Sequence, residues 1–225
     1  MTRRELDLRC YVVTSGVGEE TVTAAAKAAA AGAGIIQVRA KTLSTRDLLA
    51  FVLRVAEAVT EANPATRLVV DDRVDVALAA MNRGAAVHGV HLGETDLPVR
   101  DARLMLGPEA VVGFTTGSLA LVRAAQRDAD VIDYLGAGPF RPTPTKDSGR
   151  VPLGVAGYPE LVKASSLPIV AIGDVTPADV AVLSRTGVAG VAMVRAIMAA
   201  ADPGAVVRGV LTDFASVGGR EPDDA

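Results

Sequence analysis

Several short stretches of this chain group carboxylates, cations and hydroxyls at a spacing that could handle a phosphorylated ligand. Gln37-Val38-Arg39-Ala40-Lys41 sets an amide beside two cations, and Asp71-Asp72-Arg73 sets two carboxylates beside a third cation. His91-Leu92-Gly93-Glu94-Thr95-Asp96 brings further acidic groups, and Thr115-Thr116 brings hydroxyls. The run from Gly136 to Lys146, GAGPFRPTPTK, is rich in glycine and proline and closes on Thr143, Pro144, Thr145 and Lys146. Glycine lets backbone amides approach an anion, and proline stiffens a loop so that ordering it on binding costs less. Lysine adds a mobile point charge. Carboxylates beside cations suit a divalent cation carrying a polyphosphate, because Mg²⁺ takes one or two carboxylates and completes its shell with phosphate oxygens and water.

Each of these groups also has a plainer reading. Asp71, Asp72 and Asp75 could cap and pair at the start of a helix, and Asp75 is assigned to that structural role. Arg39 and Lys41 could be surface charge, and the Gly/Pro loop a rigid turn. His88 and His91 flank an apolar run, but no cysteine or acidic spacing makes them a zinc site. His91 is read as a packing or hydrogen-bonding residue.

These groups need elements to bring them together. Short Val/Ile/Leu runs alternate with alanine-rich segments of helical period along the chain. The predicted strands cover residues 10–14, 35–39, 68–71, 89–92, 111–114, 131–135, 169–172 and 190–194. The predicted helices cover 19–31, 45–62, 74–81, 99–106, 118–127, 157–165, 177–185 and 203–216. Eight βα repeats without a long linker predict parallel strands and right-handed crossovers, and the strands lack polar alternation, as when both faces are covered. The expected architecture is α/β, a single-domain (β/α)₈ TIM barrel over residues 10–217, with an N-terminal arm over 1–9 and a frayed tail over 218–225. A doubly wound open sheet is the alternative, for which Ser15-Gly16-Val17-Gly18 is a poor phosphate-binding first turn. In a barrel the active site lies at the C-terminal ends of the strands, and the carboxylate, cation and hydroxyl motifs named first fall there.

Composition narrows the function classes. Half the residues are hydrophobic but only 3% are aromatic, which suits tightly packed βα units, and a net charge of −3 offers nothing to nucleic acid. The single cysteine, Cys10, forms no internal disulfide and is read as a buried thiol, which fits a reducing cytoplasm. No apolar run reaches the ~20 residues of a membrane span, and the N-terminus lacks the apolar core of a secretory signal.

Together, QVRAK (residues 37–41), VDDRVD (70–75), GVHLGETDLP (89–98), GFTT (113–116) and DYLGAGPFRPTPTK (133–146) resemble the thiamine phosphate synthase family. VAIG (170–173) and GVAMVRAI (190–197) extend the likeness to nearly the whole chain. The resemblance implies a transferase that joins a pyrimidine diphosphate to a thiazole phosphate and releases diphosphate. It implies that Gln37, Val38, Arg39, Ala40, Lys41, Asp71, Thr115 and Lys146 hold the pyrimidine diphosphate. Asp72 and Asp96 would bind one Mg²⁺ per subunit. Thr143, Pro144, Thr145, Gly173, Asp174, Val194 and Arg195 would hold the thiazole phosphate, with Lys146 and Arg39 as catalytic cations. Small-molecule substrates are then the expected partners, and a homodimer is compatible with that reading. Two alternatives are a related tautomerase of the thiazole phosphate, which would have no use for Asp72, Asp96 and Lys146 together, and a non-catalytic binder of thiamine precursors.

Four positions depart from the family pattern. Ala40 replaces an acidic residue, Asp71 stands where asparagine is usual, Asp174 replaces the second glycine of a Gly-Gly pair, and Arg195 takes a position often held by serine. An aspartate beside a phosphate is unfavourable, so Asp174 and Arg195 are expected to pair. Residues 81–87 form a slightly long connection, expected on the face away from the chemistry.

Overall fold

Eight short apolar runs become strands because each is buried on both sides, by the barrel interior within and by helices without. The computed structural model describes residues 6–142 and 149–218. The strands are β1 (Cys10–Val13), β2 (Ile35–Val38), β3 (Arg67–Asp71), β4 (Gly89–Leu92), β5 (Val111–Thr116), β6 (Tyr134–Ala137), β7 (Ile169–Ala171) and β8 (Gly190–Met193). All neighbours are parallel, and β8 pairs with β1 to close the barrel. The expected TIM barrel is therefore the fold.

Side chains alternate across this sheet and form two separate layers. Tyr11, Val13, Ile35, Val69, Val111, Tyr134, Val170 and Ala192 pack together inside the barrel. Val12, Ile36, Val38, Leu68, Val70, Val90, Leu92, Val112 and Leu135 face outward into the larger core beneath the helices. Leu8, just before β1, joins the inner layer from the N-terminal end of the strands. The chain there passes so close to β8 that a Cβ on Gly190 would lie 1.6 Å from the Leu8 carbonyl oxygen.

The helices are α1 (Glu19–Ala30), α2 (Thr45–Ala62), α3 (Val74–Met81), α4 (Val99–Leu106), α5 (Leu119–Ala125), α6 (Gly154–Ala164), α7 (Val180–Leu183), α8 (Arg195–Met198) and α9 (Pro203–Gly218). Alanines 24, 25, 28 and 29 form the buried face of α1, and Ser44 caps α2 by accepting from the Asp47 amide at 3.2 Å. None of the described helices is long and apolar enough to cross a membrane.

Three expectations about elements need correction. The sixth strand starts at Tyr134, not Val131, because the chain first makes a 3₁₀ turn over Gln126–Asp128, and the Ile132 amide donates back to the Asp128 carbonyl at 3.1 Å. The fifth strand runs on through Thr116, because Thr115 and Thr116 pair with Gly136 and Ala137. The seventh helix is one α-turn between two 3₁₀ turns, closed by Gly187 at φ 86°. The short α8 before α9 was not anticipated. The connection over 82–88 lies on the N-terminal face, away from the strand exits, and His88 belongs to it, accepting the Leu68 amide through Nδ1 at 3.0 Å.

Candidate functional site

The strand exits surround a cavity of about 400 Å³, lined by residues at the ends of the eight strands or in the loops that follow them. Gln37, at the end of β2, is buried; its Oε1 accepts from the Tyr11 hydroxyl at 2.6 Å and its Nε2 donates to Asp71 Oδ1. Arg39 follows with its amide held by Thr14 Oγ1 at 2.9 Å and its Nε 3.4 Å from Asp71 Oδ2. The Lys41 ammonium lies 2.7 Å from Asp72 Oδ2 and 4.0 Å from Asp71 Oδ2. Val38 points the other way, into the core beneath the helices, so only its backbone can serve the mouth.

Successive residues on a strand face opposite sides, yet Asp71 and Asp72 both reach Lys41. The reason is local. Asp72, the residue after β3, takes the left-handed region at φ 60°, and its amide donates to the His91 carbonyl at 2.9 Å. Next to Asp72, Asp96 Oδ2 accepts the Gly93 amide at 2.7 Å. Burial is the largest cause that raises the Asp96 pKa, and the Asp72 carboxylate beside it raises it further, against the lowering bond from Gly93. Two carboxylates are thus crowded together at one edge of the mouth. Asp75, as expected, serves structure: Arg73 grips it through Nε at 2.9 Å and Nη2 at 2.6 Å.

On the β5 side Thr115 Oγ1 lies 2.9 Å from His91 Nε2, and His91 Nδ1 lies 3.0 Å from the Tyr134 hydroxyl. His91 is therefore a buried hydrogen-bonding residue, as its sequence context suggested. Arg150 reaches the mouth next to Thr116, donating to its carbonyl at 3.2 Å and pairing with Glu94.

The opposite edge is built by the exits of β7 and β8. Gly173 at φ 108° and Asp174 at φ 58° turn the chain out of β7. Gly173 packs so closely on the β6 loop that a Cβ there would sit 2.5 Å from Pro139 Cα. Arg195 Nη2 donates to Asp174 Oδ1, so the two unusual residues pair. Arg141 Nη1 donates to the Asp174 carbonyl at 3.1 Å and anchors itself on Asp179. Thr143, Pro144, Thr145 and Lys146 lie outside the described residues.

Tyr11, Tyr134, Thr14, Arg141 and Arg150 were missed by sequence reasoning. A phenol in an apolar strand needs a hydrogen-bond partner, which was a usable hint for the two tyrosines. Only the register shows that they meet each other. Cys10 is fully buried, with its thiol pushed up to about 12 by burial, so it stands apart from the chemistry.

This arrangement can hold an anion between two cationic edges, with a carboxylate pair ready for a divalent cation. A family model described as thiamine monophosphate synthase matches residues 10–197. A thiamine-phosphate synthase of Corynebacterium jeikeium is 58% identical over 215 residues, covering 96% of this chain and 98% of that protein. Its counterpart in Corynebacterium efficiens is 56% identical over 92% of this chain and 95% of its own length. The solved thiamine phosphate pyrophosphorylase of Pyrococcus furiosus superposes with a TM-score of 0.81 at 31% identity, over 94% of this chain and 97% of that one. With its barrel, its strand-exit motifs and these relatives in agreement, the chain belongs to the thiamine monophosphate synthase family.

Proposed function

We propose that this protein is a cytoplasmic thiamine phosphate synthase. It would condense 4-amino-2-methyl-5-(diphosphooxymethyl)pyrimidine with 4-methyl-5-(2-phosphoethyl)thiazole, or its carboxylated form, to thiamine phosphate and diphosphate. The observation that carries this reading is the mouth itself, where Arg39 and Asp71 line a cavity of about 400 Å³ and Lys41 joins Asp71 to Asp72 beside it.

The residues fit a magnesium ion. Asp72 and Asp96 crowd two carboxylates together, which a divalent cation relieves. Among the described residues no three His, Cys, Asp or Glu side chains form a metal-holding group. Mg²⁺ takes one or two carboxylates and completes its shell with substrate oxygens and water, which suits a carboxylate pair beside a proposed diphosphate. Bound there, it would offset charge on the departing diphosphate.

The chain's own groups do the rest. Gln37 and Thr115 orient the pyrimidine, while Arg39, Lys41 and Lys146 supply positive charge for the diphosphate. The methylene C–O bond breaks, its electron pair leaves with the diphosphate, and the thiazole nitrogen supplies the pair for the new C–N bond. No proton has to move in that exchange, which suits a site whose histidine is tied up in structure. Catalysis then rests on alignment and on charge placed to meet the leaving group. Gly173, Asp174, Val194 and Arg195 hold the thiazole phosphate, at the exits of strands seven and eight where barrels commonly bind phosphate.

The test is formation of thiamine phosphate from the two substrates. Product is expected with Mg²⁺ and not with EDTA. Tight binding of both substrates without product would sink the reading in favour of a binder.

A further inference from the structure

Inside the barrel an unbroken line of hydrogen bonds runs from the rim carboxylate Asp71 to the hydroxyl of Thr115. It passes from Asp71 to Gln37, then through Tyr11 at 2.6 Å, Tyr134 at 2.7 Å, His91 at 3.0 Å and Thr115 at 2.9 Å. Five strands and the end of β3 contribute one group each. The line is built rather than incidental: the rings of His91 and Tyr134 stack with centroids 5.5 Å apart, where Gly113 leaves room for them. A Cβ on Gly113 would lie 2.2 Å from the Tyr134 ring and 2.5 Å from His91 Nδ1.

The direction of these bonds follows from one end. Asp71, the carboxylate partner of Arg39 and Lys41, only accepts. Gln37 must therefore turn Nε2 toward Asp71 and Oε1 toward Tyr11. Tyr11 spends its single proton on that oxygen, so the bond between the phenols uses the proton of Tyr134. The bond from Tyr134 to His91 then needs a proton on Nδ1. A neutral imidazole has only that one, which leaves Nε2 bare to accept from Thr115. Burial raises the pKa of both phenols well above the ordinary value, which keeps their protons in place. Thr115, its own proton committed to His91, presents only lone pairs to the cavity.

We infer that Asp71 fixes the proton order of the whole line, making Thr115 an acceptor that selects a pyrimidine bearing an exocyclic amino group over its 4-oxo analogue. Tyr11, Tyr134 and His91 are positioning residues in this scheme. The inference rests on the reading of the substrate as an aminopyrimidine diphosphate. Asparagine in place of Asp71 can donate as well as accept, so it would let the Gln37 amide turn over and the order reverse.

Two measurements test this. In the substrate-free protein, ¹⁵N spectra of the two histidines should show His91 wholly as the Nδ1–H tautomer. The Nε2–H form should appear in Asp71→Asn, and also in Tyr134→Phe, which cuts the line while leaving Asp71 in place. An Nε2–H or doubly protonated ring in the unaltered protein, or an unchanged tautomer in both variants, overturns the proton order. The second measurement is the ratio of dissociation constants for the 4-amino and 4-oxo pyrimidine diphosphates with Mg²⁺ and no thiazole. It should fall by about tenfold or more in each variant, because a site that no longer dictates acceptor polarity loses discrimination. Losing a charge beside the metal pair weakens both ligands alike and cancels in the ratio. An unchanged ratio overturns the selectivity. Failure of the catalytic reading appears separately, as absent product in the two-substrate assay.

Discussion

Asp174 sets a carboxylate at the edge where the thiazole phosphate is proposed to bind, and Arg195 answers it from the exit of β8. The Arg195 side chain is 53% exposed, so the pair adds little to stability and its value lies in local charge. Replacing Arg195 with serine should leave Asp174 facing the phosphate alone. We expect KM for the thiazole phosphate to rise about tenfold with kcat little changed, the pattern of lost ground-state binding. Steady-state kinetics with that substrate varied would read it, and an unmoved KM would mean that Arg195 offsets nothing. Lys146 has the opposite signature. As a proposed partner of the leaving diphosphate it acts on charge that develops during reaction, so Lys146→Ala should lower kcat by roughly 10²–10³. Near-normal turnover in a folded variant would remove Lys146 from the catalytic set.

At the scale of elements, the approach to α7 shows how a cap reaches the site. Asp179 Oδ2 accepts from the Thr176 amide at 2.8 Å and its hydroxyl at 2.7 Å, while Oδ1 accepts from Arg141, which in turn holds the Asp174 carbonyl at 3.1 Å. Burial alone would raise the Asp179 pKa, but the bonds from Arg141 and Thr176 together hold it below the usual carboxylate value. A depressed carboxylate stabilises the fold fully above its unfolded pKa, and that contribution is lost as pH falls through the folded pKa. Asp179→Ala should therefore cost about 1–2 kcal/mol at neutral pH, and the difference should shrink as pH drops below the usual carboxylate range. Urea denaturation of both proteins at neutral and acid pH measures this; a gap that stays constant would show that the charge of Asp179 contributes nothing. The three-residue offset of β6 also belongs to this scale. Val131 and Ile132 read as strand by composition, but Arg103, donating to the Val131 carbonyl at 2.8 Å and pairing with Asp133, holds them in the approach to the strand.

For the whole molecule, the proposed ligands touch groups from most strands of a closed sheet, so occupancy and global stability are linked. Anything that binds only the folded barrel stabilises it by mass action, by about 2.7 kcal/mol at a hundredfold excess over Kd. For a chain of this size that corresponds to a rise in Tm of roughly 5–10 °C. Inorganic pyrophosphate and Mg²⁺ together should produce it, and either alone should produce much less, because the carboxylate pair and the cations need each other's counter-charge. Equal shifts with and without Mg²⁺ would argue that the anion binds without the Asp72–Asp96 pair.

The sequence by itself determined the barrel, because eight βα repeats of buried, non-alternating strands have few other ways to cover both faces. It also determined which residues crowd the strand exits, since a motif at the end of a parallel strand can only point to one mouth. Tertiary structure alone decided how those residues are turned. The left-handed turn at Asp72 brings two successive carboxylates to one lysine, a result that alternation along a strand does not foretell. The line from Asp71 to Thr115 was equally hidden, because its members come from β1 to β6 and meet only once the register of a closed sheet aligns them. Spacing along a chain records which face a side chain takes; hydrogen-bond partners across a barrel depend on shear and on glycines such as Gly113 that make room for them.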